Sequence, residues 1–223
     1  MTTEKFHDQL LQFPLFQGMS RDDLSQVAGH TRFDFVKFGV GHQIFKEDDA
    51  CTRLCFLLSG TLQVEAHAHD HSYSVVEQAN APFMLELEAI FGYNQRYTHS
   101  FVAQTDVSLV SIDKSEVVRL CEDFLIFRLN LLNMFATHAQ KQARNHWRST
   151  PLSLRDHLVR FFSARVLRPA GPKTFNILMT TLAKEVNDSR LDVSRVLNQM
   201  QADGLLTLHR GRIEIPQMER LLM

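Results

Sequence analysis

Arg190, Ser194, Arg195 and Asn198 fall on one side of a short periodic segment, in steps of four, one and three residues. Guanidinium, hydroxyl and carboxamide groups spaced in this way can bond phosphate oxygens and base edges. The opposite side carries Val193, Val196, Leu197 and Met200, the apolar edge of a helix. Ser189 offers a hydroxyl to cap that helix, and Asn187 just before it tolerates the left-handed backbone of a tight turn. Leu182 and Val186 give a preceding helix its own apolar edge. Ala183 is small where the two helices must approach, and Lys184 can support the polar set from outside. Two short helices joined by such a turn form a helix-turn-helix. A helical hairpin of an ordinary α-domain would share that periodicity, but the next segment argues against it. Gly204–Ile215 reads as strand, Arg210-Gly211 turn and strand, with His209, Arg210 and Arg212 near its tip. A helix-turn-helix followed by a basic hairpin is a winged helix, and duplex DNA is its expected partner.

The charge distribution agrees. The net charge is −1 overall, yet residues 1–112 carry 7 Lys/Arg against 14 Asp/Glu, residues 113–150 carry 6 against 4, and residues 151–223 carry 11 against 7. Positive charge therefore collects around the helix-turn-helix, where phosphate contact needs it. A surplus of four per chain predicts weak binding by one copy.

Other chemistries find little support. The three cysteines, Cys51, Cys55 and Cys121, make no disulfide framework, and the spacing of Cys51 and Cys55 lacks the further thiolates of an iron–sulfur cluster. There is no nucleophile elbow, no Gly-rich phosphate loop before a helix and no spread of metal ligands, so no enzyme is expected. His67, His69 and His71 alternate and could share one strand face, where imidazoles could hold a metal or haem iron. Asp70 and Ser72 between and beside them favour a solvated hairpin tip instead, and no cofactor is expected. No apolar run reaches membrane-span length and the N-terminus lacks a signal-peptide pattern, which predicts a soluble, cytoplasmic protein without membrane contact.

Three kinds of element must position the basic end. Phe6, Leu10, Leu11 and Phe13 predict an amphipathic helix ended by Pro14. Ser20 with Asp22 and Asp23 marks the capped, acidic start of a second helix. From about Thr31 to Ile112 the period becomes two, with short strands punctuated by Gly and Asp, as in a small β-barrel or jelly roll. Helical spacing returns at Asp113 and continues to about Trp147. Phe127, Leu131, Met134 and His138 follow the three-and-four steps of a paired-helix seam, which predicts a dimer helix, although a core helix of its own domain would show the same steps. Ser149-Thr150-Pro151 predicts a hinge.

A β-roll, a long connecting helix and a C-terminal winged helix, in this order, resemble the Crp/Fnr family of bacterial transcription regulators from about Phe13 to Ile215. Leu58-Ser59-Gly60-x-Leu62-x-Val64 is similar to the family's strand-turn-strand signature, and Phe38-Gly39 through Ile44-Phe45-Lys46-Glu47-Asp48-Asp49 to its opening motif. The resemblance implies an α+β chain. Residues 1–112 would form N-terminal helices and a double-stranded β-helix or jelly-roll sensor domain of cyclic-nucleotide-binding type, residues 113–148 connecting and dimerisation helices, and residues 149–223 the winged helix-turn-helix. It also implies a homodimer that sets two reading helices in successive major grooves, roughly 34–36 Å apart, and RNA polymerase as a further partner. In the family's reading helix an Arg–Glu pair and a later Arg read bases. Ser189-Arg190 and Arg195 match, while Leu191 replaces the Glu and can touch only apolar surface such as a thymine methyl. On the wing, Arg210 and Arg212 would meet the backbone.

Cyclic-nucleotide-binding members carry Gly-Glu-Leu, a short helix, then Arg-Ser or Arg-Thr. The stretch here is Leu85-Glu86-Leu87 and later Arg96-Tyr97-Thr98. Glu86 suits the ribose role and Thr98 the hydroxyl role, but Leu85 replaces the glycine and Tyr97 takes the arginine slot. Arg96 is one residue away, and in a strand such a slip turns a side chain to the other face. The expectation is a regulator whose effector binding is altered or lost. The competing reading is a ligand-capture or protein-interaction module whose winged helix ignores DNA.

Overall fold

The computed structural model describes residues 3–146 and 151–223. In chain order it contains α1 (Thr3–Leu10), α2 (Arg21–His30), β1 (Asp34–Phe38), β2 (Gln43–Phe45), β3 (Arg53–Ser59), β4 (Thr61–His67), β5 (Tyr73–Asn80), β6 (Phe83–Leu85), β7 (Ser100–Ala103) and β8 (Val107–Asp113). Next come α3 (Lys114–Asp123), α4 (Leu125–His146), α5 (Leu154–Ala164), β9 (Lys173–Ile177), α6 (Met179–Glu185), α7 (Arg190–Ala202), β10 (Thr207–His209), β11 (Arg212–Ile215) and α8 (Met218–Leu221). This is the mixed α+β order expected: a β-roll, a long helix and a helix-turn-helix. The expected helix end at Trp147, and Ser149 and Thr150 of the expected hinge, lie outside the described residues. No described helix is long and apolar enough to cross a membrane.

Two compact units divide the chain. The first takes residues 1–62, 80–98 and 102–148, and the second residues 63–79, 99–101 and 149–223. In the first, an antiparallel sheet runs β1-β8-β3-β6, with Phe56 of β3 facing Val110 of β8 and Met84 of β6. Its core is aromatic: Phe13 and Phe16 pack their rings 4.9 Å and 5.7 Å from that of Phe56. The start of α2 is closed by a reciprocal capping box, as Ser20 and Asp23 predict. The Asp23 N–H donates to Ser20 Oγ (3.0 Å) and the Ser20 N–H to Asp23 Oδ2 (3.2 Å).

Helix α4 does not present the expected seam. Phe127 and Leu131 are 0% and 6% exposed, and the Phe127 ring lies 5.4 Å from that of Phe16. Asn130 on the same side donates to the Leu15 and Gln17 carbonyls. Met134 is half-buried and His138 exposed. The outward face is offset by two residues, about 200° around the helix. It carries Leu125, Leu129 and Leu132, which are 55%, 45% and 56% exposed, and continues through exposed Ala136, Ala139 and Ala143.

In the second unit the sheet runs β10-β11-β9-β5-β4, and α5, α6, α7 and α8 pack over it. Phe162, Phe175, Leu182, Val193, Leu197 and Met200 are without solvent exposure and form one core.

Glycine is required at one turn in particular. Gly60, between β3 and β4, has φ +91°, and a Cβ there would lie 2.5 Å from the Asp106 carbonyl oxygen and 2.7 Å from Val107 Cγ1. Gly29 in α2 has nothing within 4 Å of such a Cβ. Gly60→Ala is therefore expected to lose at least ~2 kcal/mol of unfolding free energy and Gly29→Ala to gain ~0.5–1 kcal/mol, measured by urea titration of the two variants side by side.

Candidate nucleic-acid interface

The candidate DNA-facing surface is built by α6, the turn after it and α7. Leu182 and Val186 of α6 and Val193, Leu197 and Met200 of α7 bury the facing sides, and Ala183 is buried between them. Asn187 takes φ +54°. The chain then turns sharply enough for the Asp188 N–H to donate to the Ala183 carbonyl at 3.0 Å. Ser189 caps α7: its Oγ accepts from the Asp192 N–H (3.1 Å) and donates to Asp192 Oδ2 (2.7 Å). The other carboxylate oxygen of Asp192 holds Arg195 Nη1 at 2.7 Å. One side chain thus completes the cap and orients a guanidinium whose own side chain is 71% exposed. Sequence reasoning passed over Asp192; its spacing, three after Ser189 and three before Arg195, was the available signal.

The remaining expected contacts are placed as follows. Arg190, Lys184 and Asn198 are exposed and Ser194 half-buried. The Asn198 carboxamide folds back to donate to the Ser194 carbonyl at 2.7 Å. Leu191 is 68% exposed, an apolar side chain held out on the reading helix. On the wing, β10 and β11 pair Thr207 with Glu214, Leu208 with Ile213 and His209 with Arg212, which leaves Arg210 and Gly211 at the turn. Glu214 draws in both His209 Nε2 (3.3 Å) and Arg212 Nη2 (3.1 Å). A cavity of about 330 Å³ beside the wing is lined by Leu178, Met179, Thr180 and Arg190 and, from the wing, by Leu208, His209 and Arg210.

The expected effector site lies in the first unit. Leu85 is buried and faces Cys55 across β6 and β3. Glu86 adopts φ +30° and is 6% exposed, its carboxylate accepting from the Thr98 N–H (2.7 Å) and Thr98 Oγ1 (3.1 Å). Arg96 is exposed, and its Nη1 donates to the Asp48 carbonyl at 2.5 Å. Tyr97 turns inward, 2% exposed, stacked on Phe45 with ring centroids 4.3 Å apart. Its hydroxyl lies 4.0 Å from Cys55 Sγ. Burial pushes the Cys55 thiol up to about 12 and raises Tyr97 and Cys51 as well. His67 and His71 set their rings 5.6 Å apart near the end of the β4–β5 hairpin, and His69 is exposed. Among the described residues no group of three His, Cys, Asp or Glu side chains is arranged to hold a metal.

Comparison with protein families matches residues 35–124 to the cyclic nucleotide-binding domain and residues 155–223 to the Crp-like helix-turn-helix domain. The chain belongs to the Crp/Fnr family of transcription regulators. Such regulators bind DNA and are not enzymes. Solved structures share the fold at low identity. The catabolite activator protein of Thermus thermophilus is 20% identical, with 94% of this chain and 97% of that one covered and a TM-score of 0.51. A regulator from Eubacterium rectale assigned to the Crp/Fnr family is 19% identical, covering 94% and 96%, with a TM-score of 0.53. The sensor domain of the regulator DNR from Pseudomonas aeruginosa is 18% identical, covering 68% and 98%, with a TM-score of 0.54. None of the curated proteins matches.

The placement of the two arginine sets yields a division of labour. Arg190→Ala is expected to weaken specific binding on the order of 10-fold or more and leave non-specific binding nearly unchanged. Arg212→Ala should weaken both equally and lower the salt slope by about 1. Titrations of a selected site and of a scrambled duplex across salt concentrations check both, and equal losses from the two changes would refute the division.

Proposed function

We propose that this Crp/Fnr-family regulator acts as a homodimer that reads a two-half-site duplex, with a roll that does not take cyclic nucleotides in the manner of cyclic-AMP-binding members. The observation that carries the first part is the outward stripe of α4. Leu125, Leu129, Leu132, Ala136, Ala139 and Ala143 follow alternating steps of four and three, the spacing of a two-helix seam. Three leucines in one exposed stripe cost a lone chain hydration that a second copy would relieve at about 1.5–3 kcal/mol per fully buried leucine. Pairing also answers the charge problem, since two basic ends bind a duplex where one, with a surplus of four, binds poorly. RNA polymerase is the protein partner through which such a dimer would act.

The second part rests on Tyr97, Leu85 and Glu86. A cyclic phosphate needs a cation and close-approaching backbone N–H groups. By the resemblance, the buried Tyr97 phenol would stand where such members carry the cation and Leu85 where they carry the glycine, and Thr98 bonds both oxygens of the carboxylate suited to a ribose. Loss of the charge-assisted contact alone weakens binding by roughly 1.5–3 kcal/mol.

Leu191 alters the sequence read. A leucine cannot accept from a cytosine amino group, so sites selected from random DNA should differ from the cyclic-AMP regulator's half-site at the position facing Leu191.

Two measurements test these readings. Leu129→Asp with Leu132→Asp should convert a dimer to a monomer in sedimentation while the far-ultraviolet spectrum stays native, and a dimer persisting in that variant would exclude the seam. Calorimetric titration with cyclic AMP should give no heat of binding at micromolar ligand. A micromolar isotherm would show that the roll accommodates the nucleotide after all.

A further inference from the structure

The second unit's sheet contains a strand that the winged helix does not supply. β5 pairs antiparallel with β9 over five residues, from Tyr73 opposite Ile177 to Glu77 opposite Lys173. Main-chain pairing of this kind is strand addition: a sheet edge receives a segment from elsewhere in the chain. Side chains seal it on both faces. Val75, 4% exposed, enters the core that holds Phe161, Phe162, Phe175 and the buried side of α7. On the other face Asn176 Nδ2 donates to Ser74 Oγ at 3.0 Å. Glu77 and Lys173 form an ion pair of 2.8 Å with side chains 6% and 2% exposed, the carboxylate also accepting from the Leu167 N–H and the ammonium donating to the Ala170 carbonyl. Tyr73 takes a hydrogen bond from Arg165 Nε, and that guanidinium, lying over the Phe161 ring, reaches Glu185 at the end of α6 at 2.7 Å. Contacts therefore lead from β5 to both helices of the DNA reader.

We propose that β5 is a positioning strand for DNA reading: its pairing with β9, sealed by Glu77 and Lys173, holds α6 and α7 in the orientation that engages DNA. Two features favour this over a strand that keeps the reader away from DNA. With β5 in place Arg190, Arg195, Arg210 and Arg212 all remain exposed, so the strand obstructs none of them. And Val75 completes the same core that sets the rotation of α7, so withdrawing β5 would loosen the reading helix. A buried ion pair is a selective fastening: it contributes little net stability against an apolar pair, but it rejects a mismatched partner. β5 leads directly in sequence into β6 and Glu86, so a ligand that shifts that segment has a covalent route to the reader.

The inference rests on the DNA-binding reading above, and the test separates the two. Val76 and Thr174 face each other across β5 and β9. The Val76→Cys, Thr174→Cys double variant can be oxidised to lock the pairing and reduced to release the lock. Duplexes selected by the wild-type chain from a random pool serve as probe. The oxidised variant should form the cross-link in high yield and bind these duplexes as tightly as the reduced form. Glu77→Ala should weaken binding on the order of 5–50-fold, and the charge swap Glu77→Lys with Lys173→Glu should restore most of the loss, which a merely misfolded variant would not do. Loss of binding on oxidation would overturn the proposal, since the reader would then have to leave β5. So would a folded Glu77→Ala variant of unchanged affinity. A cross-link that forms in a protein whose wild type ignores DNA at low salt would instead sink the DNA-binding reading and leave the strand pairing standing.

Discussion

The burial of Val193, Leu197 and Met200 against Leu182 and Val186 fixes the rotation of α7, and the chemistry of the basic end follows from that rotation. Each such side chain gains about 1.5–3 kcal/mol on full burial, whereas the exposed pair of Arg195 with Asp192 is worth about 0–1 kcal/mol. The apolar side therefore decides which way the helix faces, and the ion pair only trims where one guanidinium points. With the core side set, Arg190, Leu191, Arg195 and Asn198 are left facing outward. The Ser189 cap and the left-handed Asn187 then settle where the helix begins, which brings Arg190 into its first turn.

Local chemistry of this kind was readable from residue order. A hydroxyl before a periodic run, an Asn at a turn and a Gly between two short strands act over a few residues, and Ser20, Ser189, Asn187 and Gly211 all appear in those roles. The phase of α4 was not readable in the same way. Both Phe127–Leu131–Met134 and Leu125–Leu129–Leu132 obey three-and-four spacing, and only the partner surface decides which stripe turns inward. Phe16 and the carbonyls of Leu15 and Gln17 settle that choice, more than a hundred positions away in sequence. The pairing of β5 with β9 is likewise non-local. Its sole trace in the sequence is Glu77, placed by alternation on the inward side with Val75 and Ala79, where a carboxylate requires a buried cation.

The loop between β6 and β7 divides two neighbours between interior and surface: Tyr97 is 2% exposed, while Arg96, at an isolated bridge to Ala50, is exposed. Tyr97 takes the interior and stacks on Phe45, which sends Arg96 to the surface and the Asp48 carbonyl. Of the two neighbours it is thus the phenol, not the cation, that faces the interior. Glu86 remains buried, but its partner is Thr98 of its own chain, so the carboxylate serves to close the loop between β6 and β7.

The two parts of the chain differ in charge. Around Cys51, Cys55 and Tyr97 burial raises all three groups above their ordinary values, and the buried Glu86 carboxylate adds to the rise at Cys51. Residues 1–112 carry a deficit of seven charges. Residues 151–223 hold a surplus of four, with Arg190 and Arg210 among the residues that line the cavity beside the wing. The charge along the chain thus favours phosphate contact at the winged helix.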